Sequence, residues 1–381
     1  MADDEPDGTT NQARLLRRQI FQLSALILIV VTAFFATRAL AASNRSMRLA
    51  DGAEWYARGQ RQMAHGDIPR AVDAFRRATV ASRTDTRYVL ALARALALDG
   101  QNDAARRALL TLRETAPEDV GINLALARLA ADGGDVTTAS RYYHNALYAP
   151  WRDDQAAARR AVRIELVDVL LAHERVAPAL SELLVLSANL PDDPALQREV
   201  ARRFAAAGDL RHALDEFERA LRTMPDDAGA LAGAGQAALA LGDYARARRY
   251  LDRAPASADG VAAARQLATH VLDDDPLAPR IGRAARARRL LANLDYASSR
   301  LQTCLAAGPS SATDADRALD AEARRFAAAH RGDAARDEDT AEAGVGLAAR
   351  AATAAARLCP PAAPRDRALA VIAERHGDSD Q

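Results

Sequence analysis

The chain has 381 residues, and its 51 basic and 51 acidic side chains cancel to a net charge of zero; every basic residue is an arginine. That balance argues against a nucleic-acid protein, whose footprint is a net basic domain, and two cysteines are too few for a disulfide framework in a chain of this length. A composition 49% hydrophobic but only 4% aromatic packs helices closely and makes few bulky strands, so the expected fold class is all-α.

An acidic tail, Met1 to Thr10, precedes Arg14, Arg17 and Arg18, after which Gln19 to Thr37 carries no charge. Those 19 residues span about 28 Å as a helix, close to a bilayer core. Gln22, Ser24 and Thr32 are tolerated there by internal hydrogen bonds or proximity to the interface. A buried core helix would carry an amphipathic stripe, which this stretch lacks. A cleaved signal peptide competes, because Ala39-Leu40-Ala41 fits the small-x-small cleavage rule. The apolar run exceeds the ~7–15 residues of such a peptide, however, so an uncleaved transmembrane helix at 19–37 with a cytoplasmic tail at 1–18 is expected. Arg14, Arg17 and Arg18 are matched beyond the span by Arg38, Arg45 and Arg48, so charge leaves the orientation tied. A short tail, one span and a long following domain place that domain on the periplasmic, extracytoplasmic side.

From Trp55 the chain repeats. Gly66, Gly100 and Gly134 are 34 residues apart, as are Glu174, Gly208 and Gly242, with six inserted residues around Asp154 to Arg159 between the two series. Five residues after each turn stands an alanine: Ala71, Ala105, Ala139, Ala179, Ala213 and Ala247. Nine residues after it comes a large side chain, Phe75, Leu109, Tyr143, Leu183, Phe217 or Leu251. Seven residues before it lies a small one, Gly59, Ala93, Ala127, Ala201 or Gly235, with Val167 the exception. The pattern predicts helical hairpins whose backbones approach closely at the small residues. Glycine supplies a left-handed turn, Asp67, Asp135, Asp209 and Asp243 cap the second helices, and Pro117, Pro191 and Pro225 end them. One such hairpin cannot bury its apolar face alone, so neighbours must stack.

The spacing, the Gly-Asp turn at 66 and 67 and Trp55 before Gly59 together resemble the tetratricopeptide repeat family, in six repeats over 52–261. The fourth copy departs most, with Glu174-Arg175 in place of Gly-Asp. Beyond it, Val261 to Leu272 reads as a further first helix, broken at Asp273-Asp274-Asp275-Pro276. Helices are then expected at Ile281 to Ala306, Asp314 to His330, Thr340 to Leu358 and Arg365 to His376, as a degenerate cap over 262–381. The stretch from Gly332 to Gly346 is polar enough for partial disorder.

Residues suited to catalysis are sparse. The seven histidines have no metal-ligand spacing, and no phosphate loop, nucleophile elbow or dinucleotide fingerprint occurs, so no metal, cofactor, small-molecule substrate or enzymatic activity is expected. The resemblance implies a groove lined by first helices that receives a protein or peptide partner. Its exposed positions would be Gln60, Arg94, Arg128, Asp168, Arg202 and Gln236. Three arginines among the six fit an acidic segment of the partner, against the alternative that they only solvate a surface. Tyr56 and Leu90 stand where a carboxylate clamp would need polar groups. Arg286, Arg288 and Arg289 form the densest basic cluster, read either as an anionic contact or as a solvated face neutralised by the acids at 273–275. Cys304 and Cys359 end the first and third helices of the expected cap; parallel helices would bring them together as a disulfide in an oxidising compartment, the alternative being two buried thiols. The expected function is a membrane-tethered interaction scaffold at a bacterial envelope. Its alternatives are a periplasmic subunit freed by signal cleavage and an enzyme or enzyme subunit with a site in the C-terminal segment.

Overall fold

The computed structural model describes residues 8–82, 85–331 and 337–377, so Met1 to Asp7 of the expected tail and the start of the polar stretch after Arg331 lie outside the described residues. Among the described residues the chain is all-α, with seventeen α-helices and no strand. It falls into two compact units, 1–169 and 170–381.

Helix α1 (Gly8–Ala64) is 57 residues long. The charge-free stretch therefore does not end its helix at Thr37. With no proline between Pro6 and Pro69, nothing removes a backbone donor, and the helix runs unbroken into the first repeat. One region within Leu26–Ala64 is long and apolar enough to cross a membrane, with a window of mean hydropathy 2.0 that is 0% buried. Ile27, Leu28, Ile29 and Phe35 are each 60–65% exposed, unlike any core helix. Thr32 donates its hydroxyl to the Leu28 carbonyl at 2.7 Å, satisfying the group inside the helix as expected; the side chains of Gln22 and Ser24 lie outside the described residues.

In the first unit the end of α1 pairs with α2 (Ile68–Ala81), α3 (Thr86–Leu98) with α4 (Asn102–Thr115), and α5 (Val120–Asp132) with α6 (Val136–Tyr148). Gly66, Gly100 and Gly134 take φ values of 76–77°, the left-handed turn their spacing predicts. Ala71, Ala105 and Ala139 are 0% exposed, so the hairpins close on these methyl groups. The inserted residues become a short 3-10 turn, Asp153–Gln155, and a longer α7 (Ala156–Ala172), which extends backward rather than interrupting the repeat.

In the second unit α8 (Val176–Ala188) is followed by the pair α9 (Pro194–Ala206) and α10 (Leu210–Thr223) and the pair α11 (Ala228–Ala240) and α12 (Tyr244–Leu251). The irregular fourth turn keeps the left-handed backbone at a non-glycine residue, Glu174 adopting φ 57°, and Arg175 caps α8 without a side-chain hydrogen bond. Helix α13 (Val261–Asp274) packs on α11 and α12 as a further first helix. Its companion is α17 (Pro364–Gly377), the last helix in the chain, and not α14 (Arg283–Ala306), which touches it little. Helices α14, α15 (Asp314–Ala329) and α16 (Glu338–Leu358) surround a core of Leu290, Leu294, Leu301, Ala348 and Ala352. The polar residues after Asp337 are helical rather than disordered. Asp337 caps α16 and Ala341, Gly344 and Val345 are buried, so the polar face is only the outer one. A methyl group on Gly344 would stand 2.6 Å from Leu290, which shows how closely α16 meets α14.

Candidate functional site

The exposed row of each first helix is set by the residue before it. Gly59 lies against Phe75, where an added Cβ would come within 2.6 Å of the ring, and Gly235 lies against Leu251, where it would come within 2.5 Å. Ala93, Ala127 and Ala201 are buried in the same register, and Val167 fills it in the fourth copy. One residue further round the helix, Gln60, Arg94, Arg128, Asp168, Arg202 and Gln236 are all exposed.

Three of these six line adjoining cavities in the first unit. A cavity of about 600 Å³ lies between Tyr56, Gln60, Phe75, Leu90 and Arg94. The next, about 690 Å³, lies between Leu90, Arg94, Leu98, Leu109, Leu124 and Arg128. Leu90 and Arg94 wall both. The first is floored by aromatic rings, Tyr56 standing 5.1 Å from Tyr88 and 5.7 Å from Phe75. At its rim Arg87 pairs with Asp85 at 2.8 Å, and that hydrogen bond holds the Asp85 carboxyl below the ordinary range. Asp168 lines neither cavity.

The three arginines proved unequal. Arg94 has no carboxylate or hydrogen-bond partner among the described residues and is exposed at the junction of the two cavities. Arg128 instead makes a two-pronged contact with Glu165, Nε and Nη2 each 2.7 Å from a carboxylate oxygen, and the Tyr143 hydroxyl donates to the same carboxylate at 2.7 Å. Burial pushes the Glu165 carboxyl up, but the bonds from Arg128 and Tyr143 outweigh it and leave it below its ordinary value. Burial, then the Glu165 bond, drive the Tyr143 phenol well above its own. Arg128 is thus committed to an internal partner. In the second unit Arg202 is exposed beside the Arg198–Asp227 pair, and Gln236 donates its amide to the Asp259 carbonyl at 2.8 Å. Of the two expected groove arginines in the first unit, Arg128 is paired with Glu165 and Arg94 has no carboxylate partner among the described residues.

Elsewhere the charged residues hold structure. Arg289 donates to the Asp275 carbonyl at 2.8 Å and Arg286 lies 3.6 Å from Glu338, which splits the expected basic cluster between two neighbours. Buried carboxylates in the C-terminal segment are each taken by an arginine: Asp366 by Arg300 at 2.7 Å, Asp316 by Arg357 at 2.5 Å and Asp320 by Arg324 at 2.9 Å. Burial and the bond to Asp366 push the Tyr296 phenol up to about 12. His212, His270 and His376 sit against Asp209, Asp274 and Asp275, and no group among the described residues could hold a metal ion. Cys304 and Cys359 are joined as a disulfide with their Cα atoms 5.7 Å apart.

Sequence reasoning missed the caps of the first helices. Asp85, Asp119, Asp193 and Asp227 each accept a backbone N–H at the start of α3, α5, α9 or α11. Two pairs of them are 34 residues apart, so the repeat period would have found them.

Residues 204–271 match the family model described as tetratricopeptide repeat. No curated protein matches significantly. Among solved structures, the chain is similar to YrrB, described as a TPR protein with an unusual peptide-binding site, at 19% identity and TM-score 0.37 over 48% of this chain and 91% of that one. It is similar to PilW, a type IV pilus biogenesis factor, at 19% identity and TM-score 0.38 over 53% and 91%. A third is pilF of Pseudomonas aeruginosa, at 14% identity and TM-score 0.39 over 54% and 91%.

Proposed function

We propose that this chain, which carries tetratricopeptide repeats, modules of protein–protein interaction, is a membrane-tethered scaffold holding a partner in the groove between α1, α3 and α5. The observation that carries the reading is Arg94: an arginine with no partner among the described residues, exposed between two cavities walled by Leu90, Leu98, Leu124 and Tyr56. An unpaired guanidinium framed by apolar walls suits a peptide with a carboxylate flanked by apolar side chains, one seated in each cavity. Arg128 supports the wall through Glu165 rather than meeting the partner. In this reading α1 anchors the chain, the repeats occupy 52–261 and the remainder, 262–381, closes their end. The repeats stand outside the cytoplasm, a placement supported by the Cys304–Cys359 disulfide, which persists in oxidising compartments.

A photo-crosslinking amino acid placed at position 94 in cells should capture a partner that the same group at Val80, exposed away from these cavities, does not. The Arg94→Glu variant should lose that partner when tested with the same protein. Equal capture from both positions, or capture undiminished in Arg94→Glu, would move the interface elsewhere. A reporter fused to the C-terminus reads the compartment, and the mass of the mature N-terminus shows whether Ala41 marks a cleavage point.

A further inference from the structure

All six charged residues between Gly8 and Ala50 are arginines, in a chain whose total charge is zero. Several arginines elsewhere in the first unit meet carboxylates, as Arg58 meets Glu54, Arg70 meets Asp67 and Arg76 meets Asp73. Arg45 and Arg48 have no such partner among the described residues; they are exposed and line a cavity of about 450 Å³ with Ala41, Asn44, Leu49 and Ala81. Ala81 ends α2, and this end is pressed onto α1, its Cβ 2.8 Å from where a methyl group on Gly52 would stand. No acidic side chain lines the cavity.

Position along α1 says what the arginines face. The charge-free stretch ends at Thr37, and because the helix is unbroken Arg45 follows rigidly, ~12 Å farther along the axis. Side chains on a helix lean toward its N-terminus, here back toward the bilayer. That lean brings the Arg45 guanidinium to the outer edge of a headgroup layer about 5–7 Å thick on each face, with Arg48 one turn behind it. We propose that Arg45 and Arg48, with the Asn44 amide, form a site for the phosphate of an anionic lipid, which seats the first repeat against the membrane surface. The site rests on the reading of α1 as a membrane span. Guanidinium groups suit it because they bind phosphate through two parallel N–H donors.

The test uses the full chain reconstituted into vesicles of equal parts phosphatidylglycerol and phosphatidylcholine, with retained lipids counted by native mass spectrometry. Wild type should retain phosphatidylglycerol in preference, and R45Q/R48Q should lose roughly 30-fold of that preference, about fivefold for each arginine. Both arginines are exposed, so the variant should keep the wild-type circular dichroism spectrum. Equal selectivity in the two proteins would overturn the site, as would displacement of the lipid by millimolar inorganic phosphate, which would mark a general anion pocket. Flotation separates the two readings: protein that floats with vesicles but shows no lipid selectivity defeats the site alone, whereas protein that does not float defeats the span as well.

Discussion

Gly235→Ala tests whether the paired helices are held by their small residues. In an exposed helix interior this change gains about 1 kcal/mol, because alanine has the better helix propensity. At 235 the new methyl group would stand 2.5 Å from Leu251 Cγ and 2.7 Å from its Cδ2, against ~3.5–4.0 Å for a relaxed carbon contact. Leu251 is fully buried and its backbone N lies 3.4 Å from the same methyl group, so a side-chain rotation has no free space to enter and α11 must move off α12. Overpacking of this kind costs up to about 3 kcal/mol, which leaves a net loss of ~2 kcal/mol after the propensity gain. Gly346 in α16 is the control, since an added methyl group there meets nothing within 4 Å. Gly346→Ala should stabilise by up to about 1 kcal/mol, so identical chemistry should move the two proteins apart by ~3 kcal/mol. Guanidinium titration of the full chain in detergent, followed by far-ultraviolet circular dichroism, reads both. Midpoints that shift in the same direction would refute close approach as the basis of the hairpin.

Ala213 is 0% exposed in the first turn of α10, so Ala213→Leu should lower stability by ~1–3 kcal/mol in the same titration. The Glu165 carboxyl lies below its ordinary value when folded, so its contribution is complete above the unfolded value of ~4.3 and is lost as pH falls through the folded one. Glu165→Gln should therefore cost stability at neutral pH, by no more than about 1 kcal/mol because the Arg128 side chain is half exposed, and should flatten the decline on acidification; an unchanged acid limb would count against the pairing. Reduction of the Cys304–Cys359 bond, which spans a sequence separation of 55, should lower stability by about 4 kcal/mol in the chain-entropy model. Unchanged melting in reductant, with free thiols verified by mass, would show that α14 and α16 hold without it.

How much was legible in the sequence followed from how far its contacts reach along the chain. The turns, the aspartate caps and the small and large residues all lie within one 34-residue period, so a single copy states the rule and its neighbours repeat it. Ala71, Ala213 and Ala247 could be assigned to the interior on spacing alone, and each is fully buried. Exposure of the six first-helix positions from Gln60 to Gln236 was legible for the same reason. Their chemistry was not. Arg94 and Arg128 are equivalent in register, yet a carboxylate 37 residues away engages only Arg128, because Glu165 stands in α7 at the register position that Ala125 holds in α5, beside Arg94. The end of the chain shows the same limit. Helix boundaries there were close to those expected, but that α17 returns to α13 was decided by long-range pairs such as His376 with Asp275, 101 residues apart. Local pattern determined where helices begin, end and turn inward; tertiary packing alone decided which charges were left unpaired and which distant helix closed the core, because a charge is satisfied by whatever folds beside it and not by its neighbours in sequence.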